Sequence, residues 1–206
     1  MNTKITIVFF TLLFLNLNAQ KNSFGTRLGI SSMYVSESQG KLKGDYDSRV
    51  GFNAALFVEL GIGKYFSFQP ELNFTNKGYK FNQGQSINIK FNYLEIPVIL
   101  KPKIPVGDAL ELYGEFGPSF SLGLGGEAVI NNQTYGDLFG DGAYNSFDFG
   151  LNYGGGFNVK LNSGYKFGLG IRFFKGLSEL YPTNPGNVAG RNNGFILGLN
   201  LSKSID

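Results

Sequence analysis

The chain has 206 residues, a length that suits one domain, and its charged residues are sparse at 16%, against about 25% in an ordinary soluble domain. The formal charge of +3 comes without a lysine or arginine stripe, so nucleic-acid binding has no support. The absence of Cys excludes disulfides and thiolate chemistry, and the absence of His excludes Ser-His-Asp and Cys-His catalysis and removes the commonest zinc and copper ligands. With 30 glycines, 16% aromatics and a mean hydropathy of −0.05, the composition is that of alternating apolar and polar positions and not of apolar helices.

Residues 1–20 carry Lys4, an apolar run from Ile5 to Leu15, and Asn16-Leu17-Asn18-Ala19-Gln20 before Lys21. A basic start, an apolar core and a small residue ahead of a polar stretch predict a secretory signal peptide over 1–19, cleaved after Ala19 or Gln20. The run is shorter than the roughly 20 residues a membrane-spanning helix needs.

Eight segments of period 2 follow. The first, about 24–35, sets Phe24, Thr26, Leu28, Ile30 and Tyr34 against Gly25, Arg27, Gly29 and Ser31. The second, about 49–61, sets Val50, Phe52, Ala54, Leu56, Val58 and Leu60 against Gly51, Asn53, Ala55, Phe57 and Glu59. The third, about 64–78, alternates Phe66, Phe68, Pro70, Leu72 and Phe74 with Ser67, Gln69, Glu71, Asn73 and Thr75. The fourth, about 87–101, has Leu94, Ile96, Val98 and Leu100 opposite Tyr93, Glu95 and Lys101; Ile87, Ile89 and Phe91 fall out of phase with Leu94, which predicts a bulge or an extension beyond the membrane. The fifth (109–123), sixth (146–161), seventh (164–177) and eighth (193–203) repeat the alternation, with Glu111, Glu115, Asp148 and Arg172 on the polar faces. A helical period of 3.6 fits none of them.

The connections alternate as well. Gly61-Ile62-Gly63 and Asn162-Ser163-Gly164 are short and Pro102–Asp108 is intermediate, whereas 36–48, 79–86, 124–145 and 178–192 are long and polar. Tight turns on one side and long loops on the other describe an all-β, eight-stranded antiparallel up-and-down transmembrane β-barrel over residues 20–206. Both termini and the short turns are expected in the periplasm, and four long loops outside.

Several segments strengthen this reading. Phe68-Gln69-Pro70-Glu71-Leu72-Asn73-Phe74 with Lys77-Gly78, then Tyr93-Leu94-Glu95-Ile96-Pro97-Val98-Ile99-Leu100-Lys101, Tyr113-Gly114-Glu115-Phe116-Gly117-Pro118, and Asp148-Phe149-Gly150-Leu151 running into Gly154-Gly155-Gly156 span most of the chain. In that order they resemble the PorT-like outer-membrane β-barrel family of the Bacteroidetes. The resemblance implies a single barrel domain in the outer membrane of a Gram-negative cell, with no defined activity; the family's namesake takes part in a protein-secretion apparatus. The expected partners are outer-membrane lipid, the barrel-insertion machinery, and a protein engaged through the long loops. Such barrels commonly end in an aromatic residue, whereas this chain ends Leu201-Ser202-Lys203-Ser204-Ile205-Asp206.

Folding the strands up and down assigns heights to the polar-face charges. Arg27 and Glu59 fall low on neighbouring strands, Lys101 and Glu111 flank one turn, and Glu71, Glu95, Glu115 and Arg172 fall near mid-height. An eight-stranded barrel is just wide enough for side chains to fill, so these eight groups are expected to form a buried structural network, with inward glycines making room. Three mid-height carboxylates face few cations, so ionisation of at least one should be disfavoured. The rival chemistry, a proton path or a carboxylate pair in acid/base work, needs the same residues. Asp137, Asp141 and Asp148 cluster near the third long loop but match no calcium-loop spacing. The glycines at 123–126 and 154–156 lack the strand–loop–helix setting of a phosphate loop. Tyr34, Tyr65, Tyr79 and Tyr93 are expected at the membrane interfaces. No catalytic residue, cofactor or metal is expected, and no enzyme. A small-solute pore and a soluble, lipocalin-like periplasmic barrel are the alternatives, the latter because alternation alone does not say which face is inside.

Overall fold

The computed structural model describes residues 22–37, 46–82, 86–182 and 190–205. The proposed signal peptide therefore lies outside the described residues. Nine antiparallel strands are present: β1 (Asn22–Glu37), β2 (Tyr46–Ile62), β3 (Phe66–Asn82), β4 (Ser86–Val106), β5 (Leu110–Ile130), β6 (Gln133–Gly136), β7 (Phe147–Lys160), β8 (Tyr165–Gly176) and β9 (Gly190–Ile205). Eight of them close a ring in the order β1-β2-β3-β4-β5-β7-β8-β9, with β9 returning to β1 and β6 attached outside the ring to the top of β5. Closure leaves the ring with no edge strand, the condition for a sheet to cross lipid.

The two faces are sorted by side chain. Leu28 is 57% exposed while its neighbour Arg27 is 4% exposed, and Leu199 is 50% exposed beside Asn200 at 4%. Apolar groups point outward on every ring strand, and the buried charges point in. This overturns the soluble-barrel alternative, which needs the faces reversed. Outward apolar residues on β3 run from Phe66 to Phe74 and stop at Asn76. Nine residues rising about 3.3 Å each at a tilt of about 40° give about 23 Å, close to the apolar band of a bacterial outer-membrane barrel. Aromatic rings flank the band. Tyr153, Phe173 and Phe195 sit side by side across β7, β8 and β9, with centroids 5.4 and 6.3 Å apart. At the opposite end, Lys64 lies over Tyr65 and Lys203 over Tyr165. Tyr34 and Tyr65 are exposed as expected, but Tyr79 and Tyr93 are buried inside the barrel and are not part of the girdle.

The short connections turn at residues 63–65, 107–109 and 162–164, and Gly63 and Gly107 supply the positive φ that the first two need. The other end departs from the expected four long loops. β3 and β4 stay paired up to Asn82 and Ser86, so only 83–85 separates them and no long loop exists there. β5 runs on to Ile130, turns through Asn131 and Asn132 at φ 49° and 67°, and returns as β6. Two consecutive positive φ values are the type I′ signature of a tight hairpin. The third long stretch therefore begins as strand and not as loop.

The phase change on β4 coincides with a bulge and with an extension of the strand, but the bulged strand is β5. Phe91 and Ile89 point inward with Tyr93 and Glu95, and the extra residue is Leu124 on β5, between Gly123 opposite Tyr93 and Gly125 opposite Asn92. β4 keeps its phase but leaves the membrane, and above that level its inner face becomes apolar. A second irregularity sets residues 49–52 of β2 against 76–78 of β3, where the Asn76 side chain accepts the Phe52 amide at 3.1 Å.

Candidate functional site

The inward side chains form stacked layers. The middle layer is a ring of two arginines and two glutamates. Arg172 reaches Glu71 with both terminal nitrogens, Nη1 at 2.6 Å and Nη2 at 2.7 Å, and donates Nε to Glu115 Oε2 at 2.8 Å. Arg27 donates Nη2 to Glu115 Oε1 at 2.7 Å and Nε to Asn200 Oδ1 at 2.8 Å, and its Nη1 is 3.5 Å from Glu71. Planar guanidinium forks suit paired carboxylates in this way. Arg27 fits because Gly198 faces it across the β1–β9 pair; a Cβ there would lie 2.9 Å from Arg27 Cγ. Tyr113 occupies the space over Gly156 and Gly170 and accepts from Asn200 Nδ2 at 3.0 Å.

The layer nearest the short turns is built from β2, β4, β5 and β8. Glu59 accepts from Lys103 at 2.6 Å and from Lys101 at 3.1 Å. Lys101 also donates to Gln69, whose amide donates to Glu71, so the lower and middle layers are joined. Glu111 accepts from Asn158 at 3.0 Å and lies 3.5 Å from Lys166. The upper layer centres on Lys77, 2.6 Å from Glu95 and 2.9 Å from Asp148. Asn73, Thr75 and Ser121 donate to Glu95, while Asn192 and Ser178 donate to Asp148. The Lys77 ammonium also sits 3.6 Å from the Phe174 ring centroid, a cation–π contact of the desolvated kind.

Above this layer the lumen is apolar. Val35, Tyr79, Ile89, Phe91, Tyr93, Ala128 and Leu180 form one buried cluster, against which Leu138, Phe139 and Tyr144 pack from the loop after β6. The Phe91 ring meets Phe139 and Tyr144 at 5.3 and 4.9 Å. The hydroxyls of Tyr144 and Tyr181 both reach Tyr79, at 3.0 and 3.2 Å. Asn145 ties the two loops together by donating its side-chain amide to the carbonyls of Glu179 and Tyr181. Burial pushes the Tyr144 hydroxyl above its usual pKa, partly offset by its hydrogen bond with Tyr79. The described parts of these loops thus pack neutral aromatic groups over the lumen at this end.

The eight charges expected inside are each 5% exposed or less, and height in the sequence does not decide which of them meet. Arg27 does not pair with Glu59; it reaches up to Glu71 and Glu115. Lys101 pairs with Glu59 and not with Glu111. Arg172 holds Glu71 and Glu115, whereas Glu95 is held by Lys77. The supposed shortage of cations at mid-height is therefore removed by Arg27 and Lys77. Lys77, Lys103 and Lys166 join the network beyond the eight expected groups, and Lys77 and Lys103 share the odd-numbered phase of Glu71 and Lys101. Asp148 is buried at the Lys77 layer, away from the exposed loop residues Asp137 and Asp141. Among the described residues no three acidic groups converge on a metal position.

The network pins each buried carboxylate to a cation or an amide. Comparison with other proteins agrees with the architecture. No functionally curated protein matches the chain in sequence. Neisserial surface protein A aligns over 90% of this chain and 100% of its own length at 14% identity and a TM-score of 0.52. The outer membrane protein OprG from Pseudomonas aeruginosa aligns over 91% of this chain and 97% of its own at 12% identity and a TM-score of 0.51. At such identities the likeness is one of fold. The profile of the outer membrane protein beta-barrel domain family matches residues 18–181, and the chain belongs to that family.

Proposed function

We propose that this outer-membrane barrel is a non-enzymatic anchor that presents a folded extracellular cap to a protein partner. One observation carries the reading: from Glu59 to Tyr144 the lumen is occupied by paired charges and then by packed aromatic rings. Such a filling supports rigidity and offers no wide path for solutes. The surface left for recognition is the cap itself, built from the tops of β2–β5, the β6 hairpin and the loops after β6 and β8. The PorT-like resemblance supports a secretion-associated role for that surface. Export is by the signal peptide over 1–19, with insertion by the barrel machinery; N-terminal sequencing of the mature protein should begin at Gln20 or Lys21.

The test is electrical and topological. Purified protein in planar bilayers should give no unit conductance above the lipid background. A cysteine introduced at exposed Thr134 should be labelled from outside intact cells. Regular conductance steps would assign a small pore instead, and labelling only after envelope rupture would remove the cap from the cell surface.

A further inference from the structure

The outer wall of the barrel is not smooth. Across the lipid-facing side of β1–β4 runs a groove of about 610 Å³, walled by Phe24, Leu56, Leu72 and Ile96, with the shorter Thr26, Val58 and Pro70 between them. Gly25, Phe57 and Glu71 also line it, although they belong to the inward phase. Glu71 bonds Arg172 in the middle layer and its side chain is wholly buried. The groove therefore reaches down to the backbone of β1, β2 and β3. Proline has no amide hydrogen and drops out of a ladder. Pairing of β2 with β3 lapses between Phe57–Glu71 and Leu60–Phe68, and pairing of β3 with β4 lapses between Pro70–Val98 and Asn73–Glu95. Pro70 falls in the first lapse and Pro97 in the second.

Pro70 is the midpoint of the apolar run from Phe66 to Phe74 that β3 presents outward. The groove is thus continuous with the lipid-facing band, and the medium that reaches it is hydrocarbon. Lipid tails are as apolar as leucine, so entry into the groove gains nothing from hydrophobicity; association within a bilayer rests on packing. Packing is what a groove adds. A chain lying on a convex wall touches protein on one side, a chain in the groove touches it on three, and dispersion grows with every atom pair. The floor belongs to a closed sheet, so the protein loses little freedom when a chain settles there. A straight hydrocarbon also brings no polar group to a depth where water is absent. We propose that the groove across β1–β4 holds one acyl chain of a membrane lipid as a fixed part of the barrel wall.

The test starts from protein refolded without lipid in detergent micelles and then given dimyristoyl phosphatidylcholine. Native mass spectrometry should show one lipid retained per barrel. Thr26→Phe with Val58→Phe fills the groove with apolar atoms on a face that already meets lipid, and should lose the adduct. Thr26→Leu, a milder filling, should weaken retention in the same direction. Val50→Phe, exposed on β2 but outside the groove, should keep the lipid. Heat-modifiable gel mobility reports that each variant is folded. In bilayers, electron spin resonance of chain-labelled phosphatidylcholine counts motionally restricted lipids, and the filled variant should restrict one fewer per barrel than the unsubstituted protein. Equal retention and equal counts in the filled variant, or a graded series of adducts with no step at one, overturns the site. A mass of two protein chains that the filling substitutions dissociate gives the groove to a second copy and overturns the lipid.

Discussion

At the scale of single residues, the middle layer decides most. Arg172 makes three charge-assisted hydrogen bonds to two buried carboxylates. Replacing one member of a buried ion pair strands the other, which costs about 3–5 kcal/mol, whereas replacing both by apolar residues of similar size is often near neutral. Glu71→Ala or Arg172→Ala should therefore lower urea resistance in micelles by about that amount, and Glu71→Met with Arg172→Met should recover most of it. A double mutant as weak as the sum of the singles would show that the pair does not act as a unit. The membership of this layer was legible in the alternation, since Glu71, Glu115 and Arg172 all lie opposite Leu and Phe. The pairing was not. Strands tilt around a barrel, so equal rank along two strands is not equal height, and a long arginine stem spans the difference. That is how Arg27, low in sequence terms, comes to bridge Glu115 on β5.

At the scale of elements, β6 and its turn show what local chemistry can and cannot say. Asn131-Asn132 between Val129-Ile130 and Thr134-Tyr135 is a hairpin signal, because Asn tolerates positive φ. It is easily read as part of one polar loop, since β6 is only four residues long and fully exposed. Asn132→Val places a β-branched residue at φ 67° and should weaken the hairpin by about 1–2 kcal/mol. Faster hydrogen exchange at the amides of residues 127–136, with unchanged exchange in the ring strands, is the expected outcome. The extension of β4 has the opposite lesson. Its inward Ile89 and Phe91 look out of phase only if the lumen is assumed polar throughout. They are in phase with Tyr93, and they are apolar because Phe139 and Tyr144 cover them. Tyr144→Ala removes one ring from this cover and one hydroxyl from Tyr79, and should raise protease cleavage in the 137–146 loop while the barrel still migrates as a folded band.

At the scale of the whole molecule, the inverted arrangement of faces is the property that commits the chain to lipid. Leu199 lies half-exposed near the middle of the apolar band on β9. Leu199→Lys should cost about 2–4 kcal/mol, as a lysine at the bilayer midplane does, and its reversal in a variant placed at the band's edge would confirm the depth. The protein should fractionate with outer membranes and shift mobility on heating. Salt should affect its stability little, because the paired charges are buried from mobile ions.

The sequence by itself determined the class of solvent and the closure of the sheet. A period of 2 with charges confined to one face permits few arrangements, and strands too long for a soluble sheet, joined by alternating turns and loops, leave the membrane barrel. Only the tertiary structure decided which charges meet and where the lumen turns from ionic to aromatic. These depend on the stagger of eight tilted strands and on contacts between residues such as Arg27 and Glu115 or Lys77 and Asp148, which lie 88 and 71 positions apart. Alternation records the side a residue faces and carries no information about its height.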